Sequence, residues 1–71
     1  MSKLKCWEKI SSELWENKSK KTELILDKLD GQWDVLVFTK GEDDPHFHDG
    51  VPTKKEATQI AKKYLKDHDS C

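Results

Sequence analysis

The sequence predicts an α+β domain, a short antiparallel sheet of three strands packed against one carboxy-terminal α-helix. Three observations carry that expectation. Asp30-Gly31 stands between two apolar runs, which is the signature of a tight hairpin. Thr53-Lys54-Lys55-Glu56 opens a stretch with helical apolar spacing. Three tryptophans in 71 residues argue for a packed core in a chain with room for one small domain, residues 1–71.

In chain order, residues 4–21 carry two patterns. Leu4, Trp7, Ile10 and Leu14 fit one face of a helix. Ser11-Ser12, Trp15 and the run Asn17 to Lys21 fit a strand ending in a loop instead. A strand over 13–16 is the expectation here, because three strands are the usual minimum for an independently stable sheet. The stretches of about residues 1–12 and 67–71 are expected to fray.

The hairpin follows. A two-residue type I′ turn needs positive φ at both central positions, which suits Asp30-Gly31. Its register sets Leu29 against Gln32, Lys28 against Trp33, Leu26 against Val35 and Leu24 against Val37. Period-2 alternation then puts Leu24, Leu26, Trp33, Val35 and Val37 on one face. Ile25, Leu36 and Phe38 share the other with Glu23, Asp27 and Asp34.

An acidic loop leads on to the helix. Thr53 as N-cap with Glu56 three residues later matches a capping box, and Pro52 marks the entry. Ala57, Ile60, Ala61, Tyr64 and Leu65 recur as one apolar stripe, with the helix fading near His68. The expected core is therefore Leu24, Leu26, Trp33, Val35, Val37, Ala57, Ile60, Ala61, Tyr64 and Leu65, with Trp15 added. Trp7 and Trp15 read first as core; exposed beside lysines, they would instead stack on bases.

Two stretches have a familiar look. Gly31-Gln32-Trp33-Asp34-Val35-Leu36-Val37 and, further on, Gly50-Val51-Pro52-Thr53-Lys54-Lys55-Glu56-Ala57 together resemble the AP2-like (arm-type) amino-terminal domain of phage-type integrases. The same pattern recurs in small archaeal, bacterial and phage proteins. The resemblance covers about half the chain and implies a three-stranded sheet on one helix, with the sheet docked in the DNA major groove. Carried over, the DNA-facing residues would be Glu23, Ile25, Asp27, Asp34, Leu36 and Phe38. Those positions hold three acids and no arginine, and Gly41 to Pro45 adds three more acids.

Charge is distributed in blocks. Residues 1–21 hold six lysines against three acids, 22–50 two against eight, and 51–71 five against three. Every cation is a lysine, which lowers the odds of sequence-specific DNA reading, since arginine is the usual reader of guanine edges. Lys54, Lys55, Lys62, Lys63 and Lys66 could still make nonspecific phosphate contacts, or simply keep the helix solvated. Ile25, Leu36 and Phe38 offer the alternative, a contact surface for a protein partner or for self-association.

His46 and His48, two apart, would project to one side of an extended backbone, with Asp43, Asp44 or Asp49 to complete a metal shell. A solvated polar loop is the plainer reading. Cys6, Cys71 and His68 with Asp67 or Asp69 hold nucleophile-type groups, but at chain ends expected to fray. Cys6 reads more simply as a small hydrophobe and Cys71 as an exposed thiol. No acid–base pair, nucleophile–base pair or phosphate loop is present, and no apolar run nears membrane-span length. The expectation is a cytoplasmic, non-catalytic binding module with reduced thiols and no cofactor. It would bind protein or, weakly, nucleic acid, and the alternative is a small metal-binding protein.

Overall fold

The computed structural model describes residues 4–70. Among them are five strands and one helix: β1 Glu8–Ser11, β2 Leu14–Asn17, β3 Thr22–Leu29, β4 Gln32–Thr39, β5 Phe47–Val51 and α1 Lys54–Asp67. The strands form one antiparallel meander in sequence order, and α1 packs across β3, β4 and β5. The α+β class stands, but the expected three strands are five.

The two additional strands lie at the edges, where the sequence signal is weakest. All four residues of β1 are exposed, so it has no buried face to impose alternation. It turns into β2 through Ser12-Glu13, where the Glu13 amide donates to Ser11 Oγ at 3.3 Å. The helix-like spacing of Leu4, Trp7 and Ile10 is incidental, because Trp7 is buried while Ile10 is 50% exposed beside a bulge between Lys9 and Ser11. The other missed strand, β5, overlaps the stretch from Glu42 to Asp49 that reads as an acidic loop with two histidines.

The central hairpin matches its predicted register at all four pairs. Asp30 and Gly31 have φ of 53° and 77°, as a type I′ turn requires. At the helix start, Thr53 Oγ1 accepts from the Glu56 amide at 3.2 Å, which satisfies one of the donors a helix N-terminus leaves open.

The core between sheet and helix is Trp7, Trp15, Leu24, Leu26, Val35, Val37, Ala57, Ala61 and Leu65. Trp33, Ile60 and Tyr64, expected within it, lie half-buried at its rim. Trp33 sits one pair from the turn end of the hairpin, beyond full cover by α1, and the Lys54 ammonium lies 5.4 Å from its ring centroid.

The carboxy-terminal segment does not fray through residue 70. Asp69 accepts from the Lys5 amide at 2.8 and 3.1 Å and from the Cys6 amide at 2.8 Å. Trp7 Nε1 donates to the His68 carbonyl at 3.1 Å. Asn17, fully buried, donates to the Ser70 carbonyl at 3.0 Å and accepts from the Lys20 amide at 3.2 Å. Apart from the local Lys20–Asn17 bond, these join segments 53 to 64 residues apart. Two amides aimed at Asp69 hold its carboxyl below the usual carboxylate range, the Lys5 amide contributing most.

Candidate functional site

Three surfaces hold the residues singled out from the sequence. The first is the outer face of the sheet, which α1 leaves uncovered. Strand pairing aligns Leu14, Ile25 and Leu36 in one cross-strand row that continues to His48 on β5. All three apolar members are half-buried, as is Phe38. Leu14 was absent from the expected patch. Its place opposite Ile25 depends on the β2–β3 turn, whose length the sequence leaves open.

Acids flank this row on both sides. Glu8 faces Glu16, which faces Glu23, and beyond the row Asp27 faces Asp34. Like charges directly opposite each other on a sheet are mildly destabilising, so this ladder has a cost and little local benefit. Counter-charges reach only part of it: Lys18 approaches Glu8 at 3.8 Å, and His48 Nε2 approaches Asp34 at 3.4 Å. Gly50 leaves room here, since a Cβ at that position would meet Asp34 Oδ1 at 3.0 Å.

The second surface is the lysine side of α1. Lys55, Lys62, Lys63 and Lys66 are exposed, but Lys54 is structural. Its ammonium lies 3.0 Å from Glu13 Oε1, tying the helix start to the β1–β2 turn. The Glu13 carboxyl is held low, chiefly by the Ser12 hydroxyl and then by Lys54.

The third is an open groove of about 540 Å³ between β5 and α1. Phe47, Ile60 and Tyr64 supply its apolar surface, with Asp49, Asp67 and Lys63 among the polar groups. Tyr64 organises it: its ring stacks on His68 at 4.0 Å between centroids and tilts against Phe47 at 4.8 Å. Its hydroxyl lies 3.3 Å from His46 Nε2, and His46 Nδ1 lies 3.3 Å from Thr39 Oγ1. Burial pushes the Tyr64 phenol above its ordinary range.

The proposed metal set is not brought together. His46 precedes β5 and turns toward α1, whereas His48 lies within the strand and faces Asp34 on the outer side. The rule of two-residue spacing fails because only one of the pair has strand geometry. Asp49 lines the groove and Asp44 is exposed in the preceding loop. Among the described residues, no three His, Cys, Asp or Glu side chains are grouped to hold a metal ion.

The cysteine expectation also needs correcting. Cys6 is disulfide-bonded rather than a reduced thiol, and Cys71 lies outside the described residues. His68 is committed to its stack with Tyr64, and Asp69 to backbone amides, so neither is arranged around a nucleophile. Disulfides persist in oxidising surroundings, and this removes the support that reduced thiols lent to a cytoplasmic assignment. Among the described residues, no helix is long and apolar enough to cross a membrane.

Comparison with protein-family models, curated proteins and solved structures gives no match for this chain.

Proposed function

We propose that this protein is a small non-catalytic binding module whose uncovered sheet face receives a protein partner. The observation that carries the reading is the half-buried row Leu14–Ile25–Leu36 at the centre of that face, with Phe38 beside it and acids on both sides. An apolar strip framed by polar groups is the usual composition of a protein contact, with a desolvated centre and a charged rim.

Charge selects the partner. Glu16, Glu23, Asp27 and Asp34 would repel nucleic-acid phosphates. Pairing this face with the same face of a second copy would oppose acid to acid, so self-association is disfavoured as well. The complement is an apolar surface bordered by lysine or arginine, on another protein. Its approach would relieve the repulsion along the acid ladder, so the unfavourable pairs favour binding.

An amide-resolved NMR titration tests this against the nucleic-acid reading. The probes are a synthetic amphipathic peptide alternating leucine and lysine, and a short DNA duplex. Shifts at Ile25, Leu36 and Phe38 with the peptide, weakened but not lost as salt screens the acidic rim and abolished by Leu36→Lys, are expected. Shifts confined to Lys55, Lys62 and Lys66 with the duplex, fading as salt rises, would replace the proposal with nonspecific DNA binding.

A further inference from the structure

The groove between β5 and α1 has a neighbour that turns it from a surface depression into a docking site of a definite kind. Among the described residues, β5 is the last strand of the sheet and is paired on one side only, with β4. Half of the main-chain groups of such a strand point away from its partner and offer a template for another strand. The opposite edge is guarded: β1 has four residues, carries Lys9 and is broken by a bulge. The β4–β5 pairing runs from Val37–Phe47 to Trp33–Val51 without a break in register. Among the described residues, the strand edge with regular geometry therefore borders the open groove of about 540 Å³.

We propose that an extended segment of a partner protein adds to β5 as a sixth, antiparallel strand and sets its side chains into the β5–α1 groove. This site is separate from the outer sheet face and does not rest on it. Strand addition of this type draws affinity from main-chain hydrogen bonds and specificity from pockets for alternate side chains.

The side chains of β5 dictate which segment fits. Phe47, Asp49 and Val51 alternate with His48 and Gly50, and Phe47 and Asp49 line the groove. An added strand places one residue opposite each. An apolar or aromatic side chain is wanted opposite Phe47, where Ile60 and Tyr64 extend the apolar surface. A β-branched residue suits the position opposite Val51. The residue opposite Asp49 is wanted basic, because Asp49 and Asp67 outnumber Lys63 as formal charges in the groove. The recognised pattern is apolar-x-basic-x-apolar. A second copy of this chain is a poor occupant, because antiparallel pairing of two β5 strands through their centre sets Asp49 against Asp49.

The test uses the whole protein and the peptide acetyl-Val-Thr-Lys-Thr-Phe-amide, with a glutamate-centred version as control. Binding of the lysine peptide is expected to shift the amides of residues 47–51 and slow their hydrogen exchange. The glutamate version should bind at least about fivefold more weakly, from the change of an attractive to a repulsive cross-strand pair. Asp49→Lys, at an exposed position, should reverse that preference while circular dichroism shows an unchanged fold. Leu36→Lys, on the other sheet face, should leave binding unaltered. Equal binding of the two peptides, shifts confined to residues away from β5, or no binding at millimolar peptide would overturn the proposal.

Discussion

Asn17→Ala probes the least expected part of the structure, the buried amide that ties β2 to the carboxy-terminal segment. Asn17 is 0% exposed, and its side chain makes two hydrogen bonds, to the Ser70 carbonyl at 3.0 Å and from the Lys20 amide at 3.2 Å. Each contributes about 0.5–1.5 kcal/mol net. Lys20 and Ser70 are themselves exposed, so water can replace part of what is lost. That places the cost at about 1–2 kcal/mol, the lower part of the summed range. In a domain of this size the loss lowers Tm by roughly 4–16 °C. Thermal unfolding followed by circular dichroism reads the shift, and hydrogen exchange at the Lys20 amide reads the local release. An unchanged melt with the Lys20 amide still protected would refute the reasoning, and with it the role assigned to Asn17.

Three further outcomes follow from the same structure. Leu24→Ala, at a fully buried position, should cost about 2–5 kcal/mol in urea unfolding, and more than Trp33→Ala at the rim; the reverse order would contradict the core assignment. Asp69 has its carboxyl depressed in the fold, so its stabilising contribution is present above the ordinary value of 3.8 and lost as pH falls through the lower folded value. Asp69→Asn should flatten that part of the acid unfolding curve, and an unaltered curve would show the carboxylate to be idle. Tyr64 is the sole tyrosine, so phenolate absorbance reports it alone; its midpoint should lie above 10.0, and a midpoint at or below that value would mean the ring is not desolvated.

Features governed by neighbours in sequence were legible in advance. Asp30-Gly31 specified its turn and register, and Thr53 with Glu56 specified the start of α1, because in both the determining bonds span four residues or fewer. Edge strands were not legible. β1 and β5 have exposed residues on both sides, so neither shows the alternation a buried face imposes. The groove depends on Phe47 and Tyr64 meeting across an unassigned strand, although their aromatic character was visible. The bonds of Asp69 and Asn17 are purely tertiary, and no local pattern announces them. The histidine pair misled because a spacing rule for strands was applied one residue beyond a strand.

The strand order has a kinetic corollary. Each strand pairs with the one before it, so relative contact order within the sheet is low, and every added strand closes only a short loop. Assembly can begin at the Asp30-Gly31 turn and zip outward in both directions. The sequence-distant step is the return of α1 across β3 and β4, while the disulfide at Cys6 already restrains the amino-terminal segment in the unfolded chain. Loop entropy makes the α1 contacts the last to form. In native-state exchange, Leu24 and Val35 should therefore exchange only through global unfolding.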